Sequence, residues 1–377
     1  MKTVETKSVA RTNSNLQTNS RIRDLMRYYQ VQPVVFRCNE VVAHCIVAVF
    51  LLSILGCSGQ NKNSGSAGSG DTDAAVERFW QHMESDSLDA AEDDARDMLA
   101  IDSGTGFGYF YLGRVYMERR HYEAALHSFD SCLDRTPNAT GALLWKSRAL
   151  TEMCRFDESI EAVSHAIRIG IEDCELYATR AFVYAMTGDY EKSIRDYSSC
   201  LEVDSTDTQS LIDRSMSYRD LGQLDSAFSD LTRAANSGDS SMAADIAVAF
   251  VGYYRELKLI DSALYFGRRA VALDPNSADA NVALGAVQYE RHQLDSAILL
   301  IEKGVDEAPN SPYGTYWLAK ALFDRGDYAC SLKMYCRTAE LMPCYFSLYD
   351  QTQARIEELR DRLHIDTASC EDTALPY

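Results

Sequence analysis

Residues 106–139 read GFGYFYLGRVYMERRHYEAALHSFDSCLDRTPNA. Tyr109, Leu112 and Tyr116 recur at helical spacing, and so do Tyr122, Ala125 and Phe129 after a short break. Such a pattern predicts two short amphipathic helices in succession. Pro137 then closes the stretch, because proline cannot continue a helix. Gly113 and Ala125, one in each predicted helix, are too small to fill a core by themselves. Their smallness implies that something packs closely against them.

Stepping outward by 34 residues finds the same pattern again. Units 106–139, 140–173, 174–207 and 208–241 are followed by two extra residues, Met242 and Ala243. Units 244–277, 278–311 and 312–345 come next, and a weaker unit, 72–105, precedes them all. The twentieth place of the eight units reads Ala91, Ala125, Ser159, Ser193, Ala227, Ala263, Ala297 and Ser331. The eighth reads Gly113, Ser147, Ala181, Ser215, Gly285 and Ala319, with Phe79 and Val251 as departures. Two helices that cross at such places can approach to the usual 8–10 Å only if the side chains there are small. The seventeenth place is apolar throughout, from Leu88 to Tyr328, and Gly188, Gly222 and Gly326 stand where the paired helices need a left-handed residue. Asp89, Glu123, Asp157, Glu191, Asp225, Asp261 and Asp295 fall in the first turn of each second helix. A negative charge there complements the helix dipole by about 0.3–1 kcal/mol.

The signature Tyr109-x-x-Leu112-Gly113-x-x-Tyr116, with Tyr122, Ala125, Phe129 and Pro137, resembles the tetratricopeptide repeat over about three quarters of the chain. That resemblance implies an all-α, right-handed superhelical solenoid of eight helix-turn-helix repeats. One unit cannot bury its apolar face alone, so the units stack and the ends need caps. Residues 346–364 read as a charged amphipathic capping helix, in which Phe346, Tyr349, Ile356, Leu359 and Leu363 cover the last unit; 365–377 read as a tail.

The resemblance also implies a concave groove lined by the first helix of each unit, where a partner would lie. Carried over, the groove candidates are Phe110, Arg114, Arg148, Phe182, Met216, Arg219, Arg255, Tyr289, Tyr316 and Lys320. The thirteenth place is acidic in all units but the one carrying Met186: Glu84, Glu118, Glu152, Asp220, Glu256, Glu290 and Asp324. Anions near a helix C-terminus oppose the dipole. Pairing four residues apart (Arg114–Glu118, Arg148–Glu152, Lys320–Asp324) accounts for three of them. The other four call for a different account, and the series Glu118, Glu152, Asp220, Glu256, Glu290 and Asp324 suggests an acidic rail beside the groove that favours a basic, apolar partner segment. One subfamily clamps C-terminal carboxylates with Lys and Asn on this face; that pattern is missing here, since the fifth places are apolar and no Asn stands at the ninth.

Composition excludes several classes. The chain has 377 residues, 37 Lys+Arg against 56 Asp+Glu, and a formal charge of -19. A phosphate backbone calls for clustered cations, so nucleic acid is not an expected partner. No HExxH, Walker loop or Gly-x-Ser-x-Gly occurs, no cofactor motif is present, and no enzyme activity is expected. Gly104-Thr-Gly106-Phe-Gly108 has the look of a phosphate loop but lacks a preceding strand. Cys132 and Cys200 read as packed thiols, and Cys330, Cys336, Cys344 and Cys370 lack metal-type spacing. Free thiols are expected, with a disulfide such as Cys344–Cys370 as the alternative for an exported chain. Lys146, Arg180 and Arg214, at the seventh place, are expected to pack their stems and keep their heads in water. Trp80, Trp145 and Trp317 read as core, with a sugar platform as the other reading.

The first seventy residues differ from the rest. Residues 41–55 form an apolar run too short to span a membrane, which takes about 20 residues. The run suits a secretory leader over 1–56, with Met26 as an alternative start. Ile54-Leu55-Gly56-Cys57 resembles the bacterial lipobox, which implies acylation of Cys57 and a lipid anchor, against an uncleaved signal anchor as the plainer reading. Residues 57–71 read as the lipidated Cys and a Gly/Ser/Asn-rich tether. Beyond residue 56 the chain holds 30 basic and 53 acidic residues, so an anionic membrane would repel the body. The expected protein is therefore a non-catalytic scaffold of the bacterial cell envelope, anchored by lipid to a membrane (the outer one by the Ser58 rule), with a partner protein or extended peptide in its groove. A carbohydrate- or nutrient-binding lipoprotein beside an outer-membrane transporter is the alternative.

Overall fold

The computed structural model describes residues 69–101, 104–170, 172–341 and 346–364, all within the compact unit that spans 67–377. The leader, Cys57, most of the tether and the tail 365–377 lie outside the described residues. Seventeen helices and no strand occur among the described residues. They are α1 (Ser69–Glu84), α2 (Leu88–Ile101), α3 (Phe107–Glu118), α4 (Tyr122–Leu133), α5 (Thr140–Glu152), α6 (Phe156–Arg168), α7 (Cys174–Met186), α8 (Tyr190–Val203) and α9 (Thr208–Asp220). Then come α10 (Leu224–Ala235), α11 (Ala243–Glu256), α12 (Ile260–Leu273), α13 (Ala278–Glu290), α14 (Leu294–Glu307), α15 (Pro312–Arg325), α16 (Tyr328–Leu341) and α17 (Phe346–Leu363). Helix α1 starts at Ser69, inside the stretch read as tether; three residues of Ser-Gly-Asp are no obstacle to a first turn.

The first sixteen pair as consecutive helical hairpins, and each hairpin packs on the next, which makes a solenoid. The crossings explain the register. All eight residues of the twentieth place are buried, none more than 1% exposed. A Cβ on Gly113 would sit 2.4 Å from Phe129, and one on Gly285 would sit 2.5 Å from Ile301. Where serine stands in place of alanine, its hydroxyl is satisfied: Ser159 donates to the Ser147 carbonyl (2.9 Å) and Ser331 to that of Ala319 (2.8 Å). First helices are enclosed on several sides. In α13 every residue from Ala280 to Val287 is buried, whereas α14 buries a single stripe of Ala297, Ile298, Ile301 and Gly304.

The turn within each hairpin uses one left-handed residue. Gly188, Gly222 and Gly326 have φ of +79°, +76° and +93°, as their positions imply. Asp86, Arg120, Cys154, Lys258 and His292 occupy the same place with φ of 55–61°. The backbone geometry of the turn is thus kept even where no glycine serves it. Two glycines of the phosphate-loop-like stretch have structural causes: a Cβ on Gly108 would lie 2.6 Å from Leu99, and Gly106 caps α3 with φ of +73°.

Helix α17 lies on α16 and buries Ile356 and Leu359 against Ala319, Leu332, Tyr335 and Cys336. Tyr349 is half-buried, and Leu363 packs at the edge of the same cluster. The side chain of Phe346 lies outside the described residues.

Two expectations are corrected. The heads of the seventh-place cations are not in water. Arg180 and Arg214 each make a two-pronged ion pair with an aspartate on the second helix of the same hairpin, Asp196 (2.6 and 2.8 Å) and Asp230 (2.7 and 2.8 Å). Lys146 reaches Asp130 of the preceding hairpin at 2.6 Å. The hairpin aims this place at the middle of the second helix, where a buried carboxylate is a better partner than water. Cys200, in turn, is not a packed thiol: it is disulfide-bonded to Cys174, and Cys154 and Cys336 are disulfide-bonded as well. In an antiparallel hairpin the first residue of one helix faces the end of the other, so 26 residues of chain bring the two Cα atoms within 4.0 Å. Cys132 is a buried free thiol, its pKa raised to about 11 by burial, and Cys330 is an exposed one.

Candidate functional site

From α3 to α15, each first helix contacts the first helix of the following hairpin, while successive second helices make no contact of that extent. A double layer that is closer on one side curves towards that side. The first helices therefore line the inner face, and the candidate groove residues stand on them.

Three stretches of this face differ. Over α1–α5, arginine and tryptophan interleave. The Arg114 guanidinium lies 3.6 Å from the ring centre of Trp145 and 5.1 Å from that of Trp80, and Arg148 lies 4.5 Å from Trp145. Cation–π contacts of this kind contribute about 0.5–2 kcal/mol each. Arg114 Nε is buried without a hydrogen-bond partner, and burial, helped by nearby Arg148, lowers the Arg114 pKa to about 10. Arg148 donates to Glu175 of the next hairpin at 2.7 Å. Phe110 is half-buried and packs on Phe129 rather than facing a partner.

Over α11–α17 the face is a second network. Arg255 donates to Glu290 (2.7 and 3.0 Å) and Tyr313 (3.3 Å), and its guanidinium lies 4.7 Å from the Trp317 ring. Burial alone would lower the Arg255 pKa, but the Glu290 carboxylate raises it overall. The Lys320 ammonium lies 5.1 Å from Tyr289 and 4.8 Å from Trp317, and burial together with Arg255 lowers its pKa. Tyr289 donates to Asp324, and Tyr316 donates to Gln351 of the cap at 3.1 Å.

Between these networks, α7 and α9 leave the face open. Phe182 is 48% exposed, which is large for a phenylalanine in a folded array. Met216 is half-buried beside it in sequence order on the next hairpin. Arg219 pairs with Asp220 at 2.7 Å and lies over Gly252, whose missing Cβ leaves room for it: that atom would sit 2.6 Å from Arg219 Nη1.

None of the three pairings expected four residues apart is formed as an ion pair. Arg114 stacks on Trp145, Arg148 reaches Glu175, and Lys320 covers rings. Contacts across the hairpin junction win because the inner-face side chains of neighbouring hairpins converge. The acids of the thirteenth place also divide. Asp220, Glu290 and Asp324 hold partners inside the protein, and Glu152 accepts from Tyr122 at 3.2 Å. Glu118 and Glu256 are exposed and make no hydrogen bond or ion pair among the described residues. Reading by repeat place missed Glu175, Tyr313 and Gln351. A signal existed for the stacking: Trp145 and Trp317 each precede a cation, Arg148 and Lys320, by three residues on one helix.

Comparison with known proteins agrees with this architecture. A family model described as "Tetratricopeptide repeat" matches residues 111–173 and 253–312. Tetratricopeptide repeat protein 8 of Caenorhabditis elegans is 23% identical over 186 residues, which span 49% of this chain and 37% of that relative. Among solved structures, a tetratricopeptide repeat protein of Parabacteroides merdae superposes with a TM-score of 0.57, at 14% identity, over 67% of this chain and 100% of its own. Yeast Tom70 gives 0.57 at 12% identity, over 86% of this chain and 73% of its own. PilW, a type IV pilus biogenesis factor, gives 0.52 at 15%, over 59% and 100%. The family model falls on two stretches within the array, and the small-residue crossings and left-handed turns run through and beyond both; together they support a tetratricopeptide repeat protein.

Proposed function

We propose that this chain is a non-catalytic scaffold that holds a segment of another protein against the inner face of its solenoid. The observation that carries this reading is Phe182, 48% exposed between two stretches whose cations lie on rings of the protein itself. An exposed ring on a curved inner face is a place for a partner's apolar side chain. Glu118 and Glu256, on α3 and α11 to either side, are exposed and add negative charge to the inner face, so a segment with apolar and basic residues suits it. The sugar-platform alternative has less support: Trp317 is 6% exposed, and a face of Trp145 is covered by Arg114.

We further propose that the body is lipid-anchored in the bacterial envelope. This rests on Ile54-Leu55-Gly56-Cys57 and the tether after it; the former and most of the latter lie outside the described residues. No helix among the described residues is long and apolar enough to cross a membrane.

Affinity capture from the native envelope tests the scaffold reading. Phe182→Ala with Met216→Ala should remove the captured partner while helical content and melting stay near wild type. Retention of the same partner by a folded double variant excludes the face. Cys57→Ser should move the protein from the membrane to the soluble fraction; unchanged fractionation excludes the anchor.

A further inference from the structure

The Cys174–Cys200 pair has a third neighbour. Cys174 is the first residue of α7, Cys200 lies near the end of α8, and Asp207 caps α9, accepting from the Ser210 backbone N–H at 2.9 Å. The two sulfurs and a carboxylate oxygen of Asp207 all lie within 4.8 Å of one another. Cys200 Sγ is 3.8 Å from Asp207 Oδ2 and 3.0 Å from Ser210 Oγ. Bonds of about 2.3 Å from zinc to sulfur and about 2.0–2.2 Å to oxygen put tetrahedral ligands roughly 3.5–3.8 Å apart. The sulfur–carboxylate separation already has that value.

We propose that the reduced form of this cluster is a divalent metal site, with Cys174, Cys200 and Asp207 as ligands for a zinc-class ion. A thiol or phosphine reductant supplies two electrons, the S–S bond breaks, and two protons give the dithiol. Metal binding then displaces both protons and leaves two thiolates on the ion. Several features favour that form. Cys174 sits at a helix N-terminus, where the dipole favours thiolate. Asp207 is held by its capping bond, so the carboxylate is positioned before metal arrives. Asp173 and Asp204, at the ends of α7 and α8, add negative charge nearby in the chain. The Ser210 hydroxyl is neutral and a poor zinc ligand, so water takes the fourth position. The site joins three helices from two hairpins. The same two cysteines thus close the junction by a disulfide when oxidised and by a metal ion when reduced.

The test is cobalt(II) titration of the full chain after phosphine reduction, followed by absorbance. The wild type should show four-coordinate ligand-field bands and thiolate-to-metal charge transfer saturating at one equivalent, both abolished by zinc and absent from the oxidised chain. Cys174→Ser and Cys200→Ser should lose the charge-transfer band, and Cys330→Ser, at an exposed thiol elsewhere, should keep it. Asp207→Asn keeps a good helix cap and hence the fold, and should weaken cobalt binding at least about tenfold. Retention of the bands in Cys174→Ser, or unchanged affinity in Asp207→Asn, overturns the site as proposed.

Discussion

Arg214 and Asp230 face each other through two parallel hydrogen bonds of 2.7 and 2.8 Å, with side-chain exposures of 12% and 5%. They stand sixteen residues apart, one on each helix of a hairpin, and Arg180–Asp196 and Arg78–Asp94 repeat the spacing. Arg214 also donates to Ser198 of the preceding hairpin at 2.8 Å. The pair therefore links two hairpins. Burial works against the Arg214 charge, yet Asp230 raises its pKa overall.

Removing one partner leaves a buried charge alone. Asp230→Ala should destabilise the array by about 3–5 kcal/mol, whereas Arg214→Met with Asp230→Leu should recover most of that loss. Urea denaturation of the single and the double variant, beside the wild type, measures both. Equal losses in the single and double variants would mean that the pair itself, not the stranded charge, sets the cost.

The helix crossings leave no room for growth. Gly113→Ala puts a methyl group where the Phe129 ring lies 2.4 Å away, so it should cost about 1–3 kcal/mol. Combining it with Phe129→Leu, which removes the obstructing ring edge, should make the added methyl less costly than it is beside Phe129. A double-mutant cycle on melting midpoints checks the coupling.

Five hairpin turns hold a side chain in the left-handed region. His292→Gly and Lys258→Gly should each stabilise by up to about 1 kcal/mol, because the Cβ clash at positive φ disappears. Gly188→Ala, at the same place in another hairpin, should lose a comparable amount. Calorimetry on the three variants tests the sign.

Asp213 gives the fold a pH dependence. Burial raises its pKa from 3.8 to about 6, although Gln209 and Tyr197 hydrogen-bond to it in opposition. Between those values the native state binds more protons than the unfolded chain. The Asp213 contribution to stability therefore falls as pH rises from about 4 to about 6, by roughly 3 kcal/mol in all, and is level above. Asp213→Asn should remove that slope and be at least as stable as wild type at pH 7. Urea midpoints at pH 4.5 and 7.0 give the comparison; an unchanged slope in the variant assigns it to another group.

The sequence by itself determined which residues share a crossing. Ala125, Ala227 and Ala297 are equivalent in the chain and equivalent in space because helical period and hairpin length are local properties. It also determined the left-handed turns at Gly188, Gly222 and Gly326, since glycine is the residue that tolerates them best. Only the tertiary structure decided which charges meet. Arg148 has Glu152 one turn away yet pairs with Glu175, and Arg114 rests on a ring 31 residues distant. Long side chains reach across the junction, and the distance and rotation between hairpins select their partners. The same holds for Cys200: its place in the register suggested a packed thiol, and its bond to Cys174 follows from the antiparallel return of the chain.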